Sequence, residues 1–273
     1  MIRITMCEVS EIMRKKKRKV LNVGNVPVKS RSQIDGIRES GKINTAVLDY
    51  VQEHIRAGVS TAKIDQWVHE ETIRMGAFPA PLNYEGFPKS VCTSLNDVVC
   101  HGIPSEDEIL KEGDIINVDV STIYKGYFSD ASRTFCIGEV SADKKRLVQI
   151  AKESIQVGLM EVKPWKPIGD MGHAIHMYAQ SQGYSVVEEI GGHGIGLEFH
   201  EEPWVSYVTK RGTGEIMVPG MVFTIEPMIN MGTPEFYLDE ENGWTVYTAD
   251  GMPSAQWEVT VAVTEQGYEI LSR

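Results

Sequence analysis

Four carboxylates and one histidine stand out in this 273-residue sequence, because each lies in or beside an apolar stretch typical of a strand. They are Asp119, Asp130, His193, Glu226 and Glu258. Acidic side chains are seldom buried unless they pair with a cation or bind a metal. One such acid alone would most simply be a strand-edge carboxylate in a salt bridge. Four of them, with a histidine flanked by glycines, favour a shared site.

This oxygen-rich ligand set suits divalent manganese, iron, cobalt or zinc, and its carboxylates can bridge two ions. Two ions about 4 Å apart can polarise a carbonyl group and bring the pKa of a water molecule near neutrality. The sequence offers no alternative nucleophile, because it lacks a G-x-S-x-G motif and no cysteine has an obvious histidine partner. We therefore predict a hydrolytic site with two divalent ions of one of these elements.

The elements that position these residues can be read from hydrophobic periodicity. Helical spacing predicts helices over 32–58, 61–75, 144–162 and 168–182. Strands are expected within 89–100, 114–120, 126–134, 186–189, 221–229, 244–248 and 256–264. The eleven-residue step from Asp119 to Asp130 predicts a hairpin with both acids side by side on adjacent strands. The order of helices and strands predicts an α+β fold of two related halves, with helices on the outer face of antiparallel sheet.

Composition excludes several classes of protein. The net charge of −11 disfavours a general nucleic-acid binder, and no sequence-specific nucleic acid is expected as a partner. The sequence has no run of about 18 apolar residues and no secretory signal, so we expect no membrane partner. Four cysteines without framework-like spacing fit reduced thiols. These features favour a cytoplasmic protein.

Residues 1–31 differ from the remainder and are predicted to be a flexible, basic N-terminal extension. The segment 14–19 is a block of six consecutive arginines and lysines. Charge blocks of this kind are most often solvated tails. The alternative is an electrostatic contact with an acidic surface such as ribosomal RNA.

Five ordered motifs closely resemble those of type I methionine aminopeptidases of peptidase family M24. They are KSVCTS at 89–94, VCHGIP at 99–104, GHGIG at 192–196, FHEEP at 199–203 and the PGM-x-FTIEP run at 219–227. The resemblance extends over about residues 32–273, which we predict to be the catalytic domain. It implies the pita-bread fold, whose two pseudo-symmetric halves agree with the order of elements.

The resemblance also implies a role for each ligand. Asp130 and Glu258 would bridge both ions, Asp119 would be bidentate on one ion, and His193 and Glu226 would bind the other. Glu226 would also be the general base. By the same resemblance, His200 would hydrogen-bond the scissile carbonyl oxygen, and His101 would hold the backbone nitrogen of the second substrate residue. Without their motifs, either of these two histidines would more simply be structural.

The same resemblance implies an apolar pocket of methionine size, because thioether sulfur packs well against aromatic rings. The matching positions are Pro81, Tyr84, Phe87, Cys92, Phe199 and Trp244. They could also be core residues, and Phe199 and Trp244 could be both. Three departures from the family pattern are Pro81 in place of a frequent cysteine, Val259 in place of a frequent histidine, and an acidic segment at 234–241 where some relatives have lysines.

The resemblance implies that the protein removes the initiator methionine from nascent polypeptides and prefers substrates with a small second residue. It also implies a monomeric enzyme. A proline-directed aminopeptidase or prolidase of the same fold is the alternative, although such enzymes usually carry a large additional N-terminal domain. A metal-free binding protein on this fold is disfavoured because all five ligands are present. Nucleic-acid binding through segment 14–19 would be at most an accessory property, and contact with the ribosome is one form of it. A type II enzyme is disfavoured because no long insertion separates His200 from Glu226.

Overall fold

A computed structural model of the chain describes residues 21–273. The helices are α1 (Arg31–His54), α2 (Thr61–Arg74), α3 (Ala142–Glu161) and α4 (Gly169–Ser181). The strands of the first half are β1 (Leu21–Val23), β2 (Val26–Val28), β3 (Phe78–Pro79), β4 (Cys92–Leu95), β5 (Val98–Cys100), β6 (Ile115–Tyr124) and β7 (Tyr127–Cys136). Those of the second half are β8 (Ser185–Val186), β9 (Gly192–Gly194), β10 (Glu201–Val205), β11 (Val222–Ile225), β12 (Met228–Asn230), β13 (Phe236–Leu238), β14 (Val246–Thr248), β15 (Ser254–Gln256), β16 (Val259–Val263) and β17 (Tyr268–Ser272).

The N-terminal half is built on the long β6–β7 hairpin. Strand β6 also pairs with β3 and β4, and all three pairings are antiparallel. Helices α1 and α2 pack on one face of this sheet, because each carries apolar residues at helical spacing. Their buried side chains include Val47, Leu48, Ile64 and Val68, which join Val118 and Val120 of β6 in one apolar cluster. The opposite face of the hairpin is left for the polar residues of the site.

The C-terminal half repeats this plan with two sheets of its own, while β13 and β14 form a third sheet with β5 of the N-terminal half. One has the order β10-β9-β11-β16-β17 and the other β15-β12-β8, again with antiparallel neighbours. Helices α3 and α4 cover these sheets through a second apolar cluster that contains Leu147, Ile155, Ile175 and Phe223. The two halves with helices on the outside confirm the predicted α+β architecture.

Hydrogen bonds join the two halves at the β7–β15–β16 junction. The backbone N–H of Glu258 donates to Ser132 O at 3.0 Å, and Asp130 N–H donates to Thr260 Oγ1 at 3.2 Å. The Thr260 hydroxyl in turn donates to Asp130 O at 2.7 Å. These bonds involve the backbone of two predicted metal ligands, so the junction fixes one ligand relative to the other.

The segment before α1 differs from the sequence-based prediction. Residues 21–28 form the β1–β2 hairpin, with Val23 opposite Val26 and a two-residue loop at Gly24 and Asn25. Gly24 has φ +61°, which glycine adopts without strain, and such short glycine-containing loops are typical of hairpins. Val26 is buried in the C-terminal cluster. These residues therefore form a hairpin that the sequence does not predict, whereas the flexibility of the extension stays a prediction and its basic block at 14–19 lies outside the described residues.

The remaining elements follow the predicted order with two differences in detail. The strand expected over 221–229 is divided into β11 and β12, because Pro227 cannot donate a hydrogen bond to a sheet. The short strands β3, β9, β10 and β13 and the C-terminal strand β17 are not predicted, since segments of two to five residues show too little alternation to be recognised.

None of the helices found in residues 21–273 has both the length and the apolar character that a bilayer crossing requires.

Close packing of α1 on β17 gives a first testable prediction. Gly41 faces the backbone of Leu271, and a Cβ atom at this position would lie 2.0 Å from the Leu271 carbonyl oxygen. Gly41→Ala should therefore lower the free energy of unfolding by about 2 kcal/mol, although alanine is the better helix former. Urea unfolding of Glu53→Ala, an exposed position on the same helix, is the control. Equal stability of Gly41→Ala and wild type would contradict this packing.

Candidate metal centre

The five predicted ligands come from five different backbone segments that meet where the two halves join. Asp119 lies on β6, Asp130 on β7 and His193 on β9. Glu226 follows β11 directly, and Glu258 lies between β15 and β16. One ligand atom from each of Asp130, His193 and Glu258 falls within 4.8 Å of the others. The fold thus brings Asp130 and Glu258 into one cluster, although 128 positions (258 − 130) separate them in the sequence.

The hairpin places its two acids diagonally rather than directly opposite. Asp119 pairs with Ser132, and Asp130 pairs with Ser121. Asp119 and Ser121 are two residues apart, so both acids still project from the same face of the sheet. The Ser121 hydroxyl donates to Asp130 Oδ1 at 2.9 Å. The predicted hairpin is therefore present, but the partner of Asp119 across the strands is Ser132, two residues beyond Asp130.

Burial makes ionisation of this cluster unfavourable in the absence of a cation. It raises the pKa of Asp119 to about 6 and the pKa of Glu226 to about 8. Burial, followed by the charges of neighbouring acids, raises the pKa of Asp130 and of Glu258 well above the usual range. Four such groups cannot all be ionised at neutral pH without positive charge among them.

The orientation of His193 suits a metal ligand. Its Nδ1 lies 2.9 Å from the carbonyl oxygen of Gly194, so the proton of the neutral ring belongs on Nδ1. Its Nε2 then presents a lone pair, 3.6 Å from Glu226 Oε1 and 4.0 Å from Asp130 Oδ2. Burial, followed by the effect of His200, lowers the pKa of His193 to about 3. A lone pair that faces two carboxylates repels them unless a cation lies between.

Glu226 is held by several hydrogen bonds. The Thr224 hydroxyl donates to Glu226 Oε1 at 2.6 Å, and the Gln256 amide donates to Glu226 Oε2 at 3.2 Å. The backbone N–H of Glu226 donates to the hydroxyl oxygen of Tyr207 at 2.7 Å. Each carboxylate oxygen thus has one fixed donor and retains further acceptor capacity.

Two carboxylate oxygens of the cluster have no hydrogen-bond partner within residues 21–273. These are Asp119 Oδ1 and Glu258 Oε1, both buried. Buried acceptors without donors are costly, and a pair of them beside a histidine lone pair is the arrangement that cations satisfy. The donor set, its burial and its raised pKa values therefore fit divalent metal.

A cavity of about 620 Å³ opens beside the cluster. Of the five predicted ligands, Asp119, Asp130, His193 and Glu226 line it, while Glu258 is buried behind them. All eight residues predicted from the resemblance to contact substrate also line this cavity: Pro81, Tyr84, Phe87, Cys92, His101, Phe199, His200 and Trp244. The structure thus places every predicted site residue at or directly behind one cavity.

Aromatic rings form the apolar walls of the cavity in two groups. Phe87 and Trp244 meet edge to face with ring centroids 5.2 Å apart. Tyr84 and Phe199 meet in the same way at 4.9 Å. Pro81, Phe87 and Phe199 are themselves buried, so these side chains belong to the core as well as to the cavity.

His101 and His200, the two cavity histidines that are not predicted ligands, occupy different environments. His101 has φ +56°, an uncommon conformation for a non-glycine residue, and burial followed by the effect of His200 lowers its pKa to about 4. His200 lies at the exposed rim, where its Nδ1 is 2.9 Å from the hydroxyl oxygen of Tyr84. Its ring centroid is 4.3 Å from that of His193.

Several residues of the site were not identified from the sequence. Polar groups that hold or adjoin the predicted ligands come from separate strands and loops: Ser121, Glu201, Tyr207, Thr224, Gln256 and Thr260. Only Glu201, within FHEEP, and Thr224, within FTIEP, lie in motifs that could have indicated them. Val259, one of the three departures, packs in the C-terminal apolar cluster.

Comparisons with known proteins agree with this geometry. The sequence model of metallopeptidase family M24 matches residues 35–265. A methionine aminopeptidase A of Synechocystis sp. is 47% identical over 243 residues, which are 89% of this chain and 96% of that relative.

Solved structures show the same fold. The crystal structure of methionine aminopeptidase from Rickettsia prowazekii superposes with a TM-score of 0.89 and 42% identity, over 91% of this chain and 100% of that one. A prolidase from Pyrococcus horikoshii shares the fold at a TM-score of 0.70 with 22% identity, over 90% of this chain and 63% of that one. The predicted pita-bread fold is confirmed, and the chain belongs to metallopeptidase family M24, within its methionine aminopeptidases.

Proposed function

We propose that this protein removes the N-terminal methionine from nascent proteins and peptides by metal-assisted hydrolysis, with a preference for a small second residue. The observation that carries this proposal is the position of the buried carboxylate–histidine cluster at one side of an aromatic-walled cavity. Similarity to methionine aminopeptidases over most of the chain supports it.

Two divalent ions would be held by Asp119, Asp130, His193, Glu226 and Glu258. Cobalt, manganese, iron and zinc all suit this set, and the metal available to the cell decides among them. Such ions, when bound, supply Lewis acidity toward the scissile carbonyl and toward water.

Glu226 is proposed to accept the proton of the attacking water. Its two carboxylate oxygens are fixed by Thr224 and Gln256, so the acceptor atom stays in one place as the proton moves. Both donors lie on strands, Thr224 on β11 and Gln256 on β15, which limits reorganisation during the reaction.

The two remaining histidines are proposed to position substrate. His200 would donate a hydrogen bond to the carbonyl oxygen as negative charge develops there, a contribution that typically changes rates by about 10²–10³-fold. His101, neutral because burial lowers its pKa, would hold the backbone nitrogen of the second residue. Both side chains line the cavity that contains the ligands.

The substrate methionine would lie between the two aromatic groups. Both aromatic pairs, Phe87 with Trp244 and Tyr84 with Phe199, line the cavity and offer ring edges to a thioether. Cys92 and Pro81 complete the apolar lining. An unbranched side chain of that length has the shape and polarisability that such a wall favours.

A proline-directed peptidase of the same fold is less well supported. Prolidase structures match at 22% identity, which supports the fold only, whereas methionine aminopeptidases reach 47%. Four further points belong to the proposal. Residues 1–31 would be an extension and residues 32–273 the catalytic domain, and segment 14–19 would contact the ribosome. The protein would be a cytoplasmic monomer.

Substrate choice gives the direct test of this function. Purified protein supplied with manganese or cobalt should hydrolyse Met-Ala-Ser, and Ala-Ala-Ser should be cleaved roughly 10²-fold more slowly because it leaves the aromatic pocket empty. An Ala-Pro peptide should be cleaved no faster than Ala-Ala-Ser. Ala-Pro hydrolysis above that of Met-Ala-Ser, measured as kcat/KM by chromatography of the released residue, would support the proline-directed alternative.

The raised carboxyl pKa values predict how metal changes the pH dependence of stability. In chelator-treated protein, Glu226, Asp130 and Glu258 keep protons to higher pH in the folded state than in the unfolded state, so stability should fall as pH rises. The free energy of unfolding in urea should drop by on the order of 1–3 kcal/mol between pH 7 and 8.5.

Added zinc or manganese should reverse that trend, because binding releases these protons and is favoured at higher pH. The histidines do not obscure the comparison, since burial lowers the pKa of His101 and His193 and both stay neutral over this range. Parallel pH profiles with and without metal would contradict the assignment of these carboxylates as ligands.

A further inference from the structure

Lys29 is a buried cation at the end of the N-terminal hairpin, outside every motif of the site. Its side chain has no exposed surface, and its Nζ lies 2.7 Å from Glu201 Oε2. Its backbone N–H donates to Gly220 O at 2.8 Å, which fixes the segment against the C-terminal half. Burial lowers the pKa of Lys29, and the charge and hydrogen bond of Glu201 oppose that effect. A lysine is rarely placed so deeply without a specific partner.

Glu201 connects Lys29 to the loop that enters the cavity. While Oε2 accepts from Lys29, Oε1 accepts from the backbone N–H groups of Leu197 at 2.6 Å and Glu198 at 2.8 Å. The side chain of Glu201 is 5% exposed, so water does little to replace these contacts. One carboxylate therefore holds both ends of the turn formed by residues 197–201.

That turn carries three residues that line the cavity, which are Phe199, His200 and Glu201 itself. Phe199 has other restraints, because its ring packs on those of Phe128 and Tyr84. The ring of His200 is hydrogen-bonded to the Tyr84 hydroxyl and stacks on the Phe199 ring with centroids 4.4 Å apart, but His200 is exposed whereas Phe199 is buried. The backbone of His200 is held by the Glu201 turn. His200 thus depends on Glu201 more than Phe199 does.

We infer that Lys29 is a positioning residue for His200 and acts through Glu201. The ammonium group of Lys29 compensates the negative charge of Glu201, so the carboxylate can stay buried and hold the turn. The turn in turn directs the His200 ring into the cavity. The expected loss of turnover rests on the proposed function. The expected release of the 197–201 turn rests on the described contacts alone. Loss of the cation would leave Glu201 buried and unpaired, so the carboxylate would move toward water and release the turn.

The decisive variant is Lys29→Met, which keeps most of the side-chain volume and removes the charge. Hydrogen exchange of the amides of Leu197 and Glu198 should become faster than in wild type. Turnover of Met-Ala-Ser should fall by roughly 10²-fold in kcat, since small misplacements of a catalytic group have effects of this size. The change in KM should be smaller, and the metal content should stay at the wild-type level.

Double variants test whether the effect passes through Glu201 and His200. In Lys29→Met/Glu201→Gln the neutral amide oxygen can still accept from both N–H groups, so slow exchange and part of kcat should return. In a His200→Ala background, Lys29→Met should cost little additional kcat. Additive losses in both pairs would overturn the inference.

Two controls separate positioning from general effects. Lys42→Met removes an exposed ion pair with Glu39 and should leave kcat and loop exchange unchanged. Gly41→Ala lowers global stability away from the loop, and a kcat loss in it equal to that of Lys29→Met would overturn the inference.

The exchange experiment keeps the inference separate from the proposed function. If wild type failed to cleave methionine peptides, the proposed function would be wrong, while faster exchange at Leu197 and Glu198 in Lys29→Met would still support the positional role. Wild-type exchange rates in Lys29→Met would overturn it regardless of activity. Should Lys29→Met not fold, Glu201→Gln in the otherwise wild-type chain must lower kcat with metal retained, and wild-type kcat would count against the inference.

Discussion

Mutual repulsion among four buried carboxylates is the constraint on which the rest of this structure depends. Asp119, Asp130, Glu226 and Glu258 lie where the two halves meet, and burial raises the pKa of each. His193 adds a lone pair and no charge. Such a cluster is stable at neutral pH only with protons or metal ions in it. Metal binding therefore belongs to the stability of the fold as much as to its chemistry.

The architecture meets this constraint by placing the proposed ligands on or directly beside strands and joining the strands across the two halves. The hydrogen bonds between Thr260 and Asp130, and between Glu258 and Ser132, hold two of the proposed ligands through their backbones. His200 is different, because it lies on a turn at the rim. A turn needs its own anchor, and the ion pair of Lys29 with Glu201 is buried deeply enough to provide one.

Much of this arrangement could be predicted from the sequence. Apolar periodicity indicated α1 to α4, and the spacing of Asp119 and Asp130 indicated their hairpin. The diagonal register could not be predicted, since it depends on where a ten-residue strand begins its pairing. The role of Lys29 could not be predicted either, because it is 172 residues from Glu201 and nothing in a local pattern marks a lysine as buried. The β1–β2 hairpin is not predictable because its strands have only three residues each.

The most direct measurement is metal content and Met-Ala-Ser hydrolysis on the same preparation of Glu258→Ala. Removing this carboxylate should lower bound divalent metal and kcat/KM together, whereas the exposed variant Glu265→Ala should retain both. The metal-free fold should survive, because the cluster then contains one buried carboxyl group fewer that must keep its proton. A Glu258→Ala protein with full activity and full metal would contradict the assignment of this cluster as the metal centre.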